Sequence, residues 1–383
     1  MAGIYIHIPF CASRCIYCGF YSTVQTSVQD EYTTALCREL ALRKDYLQKP
    51  VTTVYLGGGT PSQLSAKNLK RIFTTIDTLY GPCCDMEEVT MECNPDDVTE
   101  EMCHTLQQLP INRVSMGAQT FSDERLRFLH RRHNAEQVAL ATQRLRAAGI
   151  SNISLDLMFG FPDESLFEWE EDIWMALALN PQHISAYSLM YEEGTPLYRM
   201  LERSEVKEVD EELALGMYNR LIDMLTEAGY EHYEISNFAR PGFRSRHNSS
   251  YWHGVPYLGI GAAAHSYNGK SRQWNVSNVG EYIRCINLSD DGKLLPELYE
   301  REELDITTRY NDLVTTALRT REGISMEEVK AEYGQHLLDY MLANARQRIA
   351  MGDMAVSDGR LHITRQGIFI SDDVMSDLIY TGE

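Results

Sequence analysis

Short apolar runs alternate with amphipathic stretches through the first two-thirds of the chain. The apolar runs fall at 4–8, 53–56, 88–91, 113–116, 153–158 and 183–188, and their length is that of strands. Between them, apolar positions recur at helical spacing over 29–46, 66–79, 100–108, 135–147, 166–179 and 211–228. Strand–helix alternation predicts an α/β fold with a parallel sheet. Six units are too few to close an eight-stranded barrel, so the expectation is an open, partial (β/α)6 barrel. In such folds the chemistry sits at the C-terminal ends of the strands.

Residues 305–383 break this pattern. Helical spacing over 311–320, 325–333 and 336–351 is followed by two short runs, 354–357 and 360–364. These flank Asp358-Gly359, a hairpin signal. Three helices and a hairpin predict a smaller α+β C-terminal region with a winged-helix-like module. The domain reading is a barrel over 1–234, a connecting region over 235–304 and the module over 305–383. From Arg321 onward there are six Lys/Arg against eleven Asp/Glu. That balance points to a structural or partner-docking module and away from DNA.

Composition narrows the class. Hydrophobic residues make up 44% and charged residues 23% of 383, as in soluble globular proteins. No apolar run approaches the ~20 residues of a membrane span, and no basic segment precedes the first apolar run, so no signal peptide is expected. Nine cysteines, with Cys83 and Cys84 adjacent, are poor material for a disulfide framework. A reducing, cytoplasmic setting is expected. The net charge of −20 excludes a general nucleic-acid binder. The charge is uneven, however. Residues 235–280 contain no Asp or Glu, yet hold Arg240, Arg244, Arg246, Lys270 and Arg272 with His247, His253 and His265. This stretch reads as a cationic site for an anionic ligand.

The chemistry is announced by Cys11, Cys15 and Cys18, a CxxxCxxC run on a loop after the first strand. Three thiolates can hold three corners of a [4Fe–4S] cluster, which ordinarily takes four cysteines. Gly19 and Phe20 follow, so one iron is left open to an outside ligand. Zinc is the competing reading, with His7 as the nearest further ligand, but a closed zinc site needs four. An open iron suits S-adenosylmethionine, whose amine and carboxylate can chelate it. Polar and glycine signals then follow the strands in turn. Gly57-Gly58-Gly59-Thr60-Pro61 follows the second and Glu92-Cys93-Asn94-Pro95 the third; Gly117-Ala118-Gln119 follows the fourth, and Asp156 lies near the end of the fifth. Glycines permit close backbone approach to a ligand. Glu92 suits ribose hydroxyls, and Arg131 suits a carboxylate.

These segments, with Tyr5-Ile6-His7-Ile8-Pro9-Phe10-Cys11 and Asp156-Leu157-Met158-Phe159-Gly160, resemble the radical S-adenosylmethionine superfamily over nearly the whole chain. More narrowly, the chain is similar to the branch containing the oxygen-independent coproporphyrinogen III oxidase and its heme-chaperone relatives. The resemblance implies that Tyr5, Tyr17, Gly58, Gly59, Thr60, Glu92, Gln119, Arg131 and Asp156 bind S-adenosylmethionine. It also implies that Cys11, Cys15 and Cys18 ligate the cluster. The oxidase carries a further cysteine two places after the third ligand, where this chain has Phe20, and a long N-terminal extension, where this chain has ten residues before Cys11. Both departures argue against oxidase activity.

His247-Asn248-Ser249-Ser250-Tyr251-Trp252 looks like the HNxxYW signature of the heme-chaperone family. Histidine is a usual axial ligand of heme iron. Tyr251 and Trp252 offer flat apolar area, and Arg240, Arg244 and Arg246 suit propionates. The resemblance implies heme binding through His247, Tyr251 and Trp252, with His253 and His265 as reserve ligands. The implied partners are a heme-acceptor protein and an electron donor.

Overall fold

The inner face of the sheet is where the strands declare their purpose. In the computed structural model, which describes residues 1–290 and 293–382, six strands pair in chain order and in parallel. They are β1 (Ala2–Ile8), β2 (Val51–Gly58), β3 (Glu88–Cys93), β4 (Arg113–Gln119), β5 (Asn152–Phe159) and β6 (His183–Ser188). Alternate residues on a strand point to opposite faces. One face carries Ile4, Ile6, Ile8, Val54, Leu56, Val89, Met91, Val114, Met116, Ile153 and Leu155, all packed in the main core. The other carries Tyr5 and His7, Thr53 and Tyr55, Glu88 and Glu92, Arg113 and Ser115, Ser154 and Asp156, His183 and Ser185. The barrel is therefore apolar outside, against its helices, and polar within.

The helices follow the expected pattern with small differences at their ends. Ala135–Ala147 matches the sequence expectation, and Ala66–Tyr80, Leu166–Ala178 and Glu211–Glu227 differ from it by one residue. The first helix, Gln29–Leu42, stops four residues early. Arg43 leaves helical geometry and buries its side chain against Glu39, at 3.0 Å.

Residues 231–303 add strands to both ends of the sheet, so the expected boundary at 234/235 falls between the two strands of one antiparallel pair. The order is β12-β11-β10-β9-β1-β2-β3-β4-β5-β6-β8-β7. At the β6 end lie β7 (Glu231–Glu234) and β8 (Asn237–Ala239). At the β1 end lie β9 (Tyr257–Ile260), β10 (His265–Tyr267), β11 (Ser271–Asn275) and β12 (Tyr299–Glu303). β9 pairs parallel with β1, so seven parallel strands form the barrel wall instead of the six expected.

The added strands are clamped by one buried carboxylate. Glu39 accepts from Arg43 Nη1 at 3.0 Å, Asn275 Nδ2 at 2.8 Å, Gly261 N at 2.9 Å and Tyr282 Oη at 2.6 Å. It ties the first helix to the turn between β9 and β10, to β11 and to the helix Val279–Leu288.

The C-terminal region has a core of its own, built on Tyr310, Val314, Leu337, Met341 and Leu361. Helices Ile306–Ala317, Met326–Tyr333 and Gln335–Met351 pack with a sheet of β13 (Ile324–Ser325), β15 (Arg360–Ile363) and β14 (Met354–Ser357). This is the expected three-helix and hairpin module with a third, two-residue strand and a further short helix, Ser371–Ser376, whose Val374 and Met375 join the core. Its first helix begins at Ile306 instead of 311 because Asp305 caps it through Thr308 N at 2.7 Å. Among the described residues, no helix is long and apolar enough to cross a membrane.

Removing one member of a buried ion pair strands the other, at a cost of about 3–5 kcal/mol. Glu39→Ala should lower stability by that amount in urea unfolding followed by tryptophan fluorescence. A loss below about 1 kcal/mol, the worth of a surface pair, would show that the clamp does not hold the added strands.

Candidate functional site

The loop after β1 carries the three thiols. It is pinned by Cys11 N to Thr23 O at 2.9 Å, Thr23 N to Pro9 O at 2.8 Å and Leu197 N to Ile16 O at 3.0 Å. Ile16 anchors it in a small apolar cluster with Leu129, Met158, Phe161 and Leu189, and Tyr17 packs against that cluster. Cys11, Cys15 and Cys18 are free and half-buried. Burial pushes the Cys11 and Cys18 thiols up from their ordinary value, so metal uptake there releases protons.

Among the described residues, no three His, Cys, Asp or Glu side chains converge on a single metal ion. A four-iron cluster takes its thiolates at separate corners and does not gather them on one ion. The surrounding donors suit such a cluster. Thr60 Oγ1 lies 3.5 Å from Cys11 Sγ, and Arg131 Nη1 lies 3.6 Å from Cys15 Sγ. A hydroxyl and a guanidinium thus face sulfurs that bear negative charge when they bind iron.

The residues expected to bind S-adenosylmethionine are brought together at the strand ends around this loop. Glu92 accepts from Tyr55 Oη at 2.8 Å and Gly58 N at 3.1 Å. Arg131 is fixed by Gly117 O at 2.7 Å and Asn94 Oδ1 at 2.8 Å. Gln119 sits at a bulge against β5 with φ 67. Asp156 receives the Ser115 hydroxyl at 3.2 Å, and Tyr5 bonds His7 Nδ1 at 3.0 Å. The glycines are required by space. A Cβ on Gly58, whose φ is +111, would lie 2.5 Å from the His7 ring, and one on Gly59 would lie 2.7 Å from the Pro9 carbonyl carbon. Burial raises Glu92 to about 7 and Asp156 to about 6. Both carboxyls are thereby held ready to donate or accept.

The hexapeptide lies at the opposite, floor end of the barrel, on the helix Arg246–Trp252. Its N-terminus is capped by a carboxylate from inside the barrel. Glu88 accepts from Arg246 N at 2.8 Å and His247 N at 3.1 Å. Ser245 caps Asn248 N at 3.4 Å. Negative charge is favourable at this end of a helix. His247 is buried, with Nδ1 2.8 Å from Thr53 Oγ1 and Nε2 2.9 Å from Tyr251 Oη. As folded, neither ring nitrogen is free for iron. Burial, with Arg113 adding to it, holds the ring neutral down to about 3. His247 also stacks on Tyr55, centroids 5.3 Å apart. A column of contacts therefore runs from Thr53 and His247 through Tyr55 to Glu92 and Gly58.

Three of the five basic residues of the cationic stretch pair with acids in space. Arg244 pairs with Glu231 at 3.0 Å and Glu322 at 2.7 Å, and Arg246 pairs with Glu87. Arg272 pairs with Glu302 at 2.9 Å and Asp312 at 3.0 Å, and Arg240 bonds Asn180 Oδ1 at 2.6 Å. The acids come from other parts of the chain, so a stretch empty of acid in sequence is not a bare cationic surface.

Tyr251 and Trp252 line a cavity of about 1230 Å³ between the barrel and the C-terminal module. It reaches from Tyr5 and His7 inside the barrel, past Gly19 and Phe20 beside the third cysteine, to the hexapeptide. The Trp252 indole N–H is buried without a partner, with Arg319 5.0 Å over its ring.

Sequence reasoning missed Thr53, Tyr55, Glu88, Arg113 and Ser115, which hold the named residues in place. Arg113 is buried on the floor, with Nε and Nη1 unpartnered, and its charge favours ionised Glu92 and Asp156 above it. The signal for these residues is a two-residue polar period within the strand runs.

Comparison with known proteins places this geometry. The Radical SAM superfamily model matches residues 5–175, and the HemN C-terminal domain model matches 304–370. The chain is 34% identical over 378 residues to the heme chaperone HemW of Bacillus subtilis (strain 168), covering 98% of each chain. It is 32% identical to the heme chaperone HemW of Lactococcus lactis subsp. lactis (strain IL1403), covering 97% of each. Among solved structures, the coproporphyrinogen III oxidase (HemN) from Escherichia coli shares the fold. The TM-score is 0.83 at 21% identity, covering 99% of this chain and 90% of that one.

Glu92 supplies a pH test. Its carboxyl is raised by burial from 4.5 to about 7. The stability it contributes is full below the unfolded value and is lost as pH rises through the folded one. Across pH 5, 6, 7 and 8, cluster-free wild type should lose stability relative to Glu92→Gln in urea unfolding. A constant difference over that window would mean that Glu92 titrates normally.

Proposed function

The chain belongs to the heme chaperone HemW family within the radical SAM superfamily, and from that premise we propose that it is a heme-binding chaperone. It holds a [4Fe–4S] cluster and S-adenosylmethionine at the barrel mouth and passes heme to an acceptor protein. The observation that carries this reading is the single cavity joining the cluster loop to the Tyr251–Trp252 wall.

In this reading Cys11, Cys15 and Cys18 hold three irons of the cluster. Bound together, the cluster and S-adenosylmethionine supply one-electron radical chemistry. The chain's own residues bind and orient. Arg131, already fixed by Gly117 and Asn94, presents its guanidinium to a carboxylate. Glu92 accepts ribose hydroxyls in place of Tyr55. Gly58 and Gly59 let the backbone come close, with Tyr5, Tyr17, Thr60, Gln119 and Asp156 completing the wall. The hexapeptide contributes Tyr251 and Trp252 to the heme cavity, while His247 holds the barrel floor. An electron donor and a reducing, cytoplasmic setting complete the proposal.

The alternative is radical oxidation of a porphyrinogen, favoured by the fold shared with the oxidase. The resemblance read from the sequence argues against it through Phe20.

Anaerobic reconstitution should load about four irons and four sulfides. Cys11→Ala, Cys15→Ala and Cys18→Ala should each lose them, and Cys37→Ala should not. S-adenosylmethionine should alter the electron paramagnetic resonance spectrum of the reduced cluster, less so in Glu92→Ala and Arg131→Ala. Stoichiometric zinc without iron would refute the cluster.

Hemin should titrate to saturation at a single equivalent per chain, and coproporphyrinogen III should not be converted under anaerobic, reducing conditions. Sustained turnover would instead make the chain an oxidase.

A further inference from the structure

We propose that His265 is the axial ligand of heme iron and that the cavity between the barrel and the C-terminal module is the heme compartment. The proposal rests on the heme-binding reading above and specifies where the ligand sits.

The cavity is large enough. Its volume of about 1230 Å³ exceeds the roughly 300–1,000 Å³ of ordinary small-molecule sites. Its walls are aromatic. Tyr251 and Trp252 come from the hexapeptide, Tyr257 and Tyr267 from β9 and β10, and Tyr333 from the C-terminal module. Such rings offer flat apolar area to a macrocycle and hydroxyls to its rim.

A histidine that ligates iron needs a free ring nitrogen. Four histidines lie in or beside the cavity, and two are bonded at both ring nitrogens. His247 is bonded at both nitrogens. His7 bonds Tyr5 Oη and Tyr21 O, each at 3.0 Å. His253 gives Nδ1 to Ser249 O at 2.7 Å and, among the described residues, has no partner at Nε2, so it is the competing ligand in this cavity. His265 lines the cavity and is exposed. Among the described residues, neither of its ring nitrogens has a hydrogen-bond partner. Its ring is held only by stacking on Trp274, centroids 6.0 Å apart at 27°.

The backbone beneath His265 is built to stay still. The turn before it carries Ala263 at φ 61 and Gly261 at φ +108, and a Cβ on Gly261 would lie 2.5 Å from Tyr32 Oη. Gly261 N is held by Glu39 at 2.9 Å and Ala262 N by Tyr32 Oη at 2.9 Å. Ser266, the next residue, bonds Gly259 N and Arg43 Nη2, each at 3.0 Å. This rigid, fully bonded backbone fixes the place from which the open imidazole enters the cavity. Of the lining cations, Arg272 and Arg309 each face an acid, and Lys49 pairs with none among the described residues.

The test is a titration of the cluster-reconstituted full-length chain with ferric hemin, read as a Soret difference spectrum. His265→Ala should shift the band and weaken binding at least about tenfold. His265→Met should keep the binding and move the band, because a thioether replaces the imidazole. His104→Ala, which removes a surface histidine bonded to Gln108, should match wild type. Retention of the wild-type band and affinity in His265→Ala overturns the proposal. So does loss of the band in His253→Ala, or in a folded His247→Asn variant, while His265→Ala keeps it. Unsaturable hemin uptake by wild type is a separate failure, which removes the heme-binding reading and this ligand with it.

Discussion

A polar side chain enclosed by the barrel loses its water and must find partners within the protein, a rule to which Arg113, with Nε and Nη1 unpartnered among the described residues, is an exception. That constraint governs the inner face. A buried polar group left without a partner costs about 1–3 kcal/mol, and more if charged. The floor and mouth therefore fill with mutual bonds: Thr53 to His247, His247 to Tyr251, Tyr55 to Glu92, Ser115 to Asp156 and Ser154 to His183. Glu88 shows the reach of the rule. Its carboxylate lies on β3, yet it is satisfied by the backbone of a helix about 158 residues later in sequence. That bond closes the hexapeptide helix onto the barrel floor.

The same constraint explains why the strands beyond β1 are part of the barrel and not an appendage. Glu39 has no exposure, and its four partners come from its own helix, the β9–β10 turn, β11 and the helix after it. A buried charge pair is weak evidence for stability in itself, but it is a strong device for register. Only one docking of β9 to β11 satisfies all of those donors, and that docking sets where His265 emerges.

Much of this was legible in the sequence. The six parallel strands, most helices, the hairpin at Asp358-Gly359 and the ring of polar groups at the strand ends follow from periodicity and turn chemistry alone. β9 did not, because its four residues include Gly259 and lie between Gly254 and Gly261, which reads as loop. The first helix reads too long because the apolar spacing continues to Tyr46 while Arg43 turns inward. The acid-free stretch reads as cationic because its partners, Glu87, Glu231, Glu302, Asp312 and Glu322, are remote in the chain. The motif names His247 by residue type and says nothing of the bonds to Thr53 and Tyr251 that its ring makes as folded. These gaps share a cause: a side chain's partner is a tertiary fact.

The column from the floor to the mouth has an energetic consequence. Tyr55 donates to Glu92 at 2.8 Å and stacks on His247 at 5.3 Å. A ligand that draws Glu92 toward itself takes the acceptor from a buried phenol whose other neighbour is the hexapeptide's histidine. The orphaned hydroxyl must turn elsewhere or remain unpaired, and either choice disturbs the packing of His247. Disturbing His247 from below likewise loosens Tyr55 and frees Glu92. Linkage makes these two statements one coupling free energy seen from opposite ends. Mouth and floor are thus two sets of buried hydrogen bonds joined by the Tyr55–His247 stack, so a change in one is felt by the other.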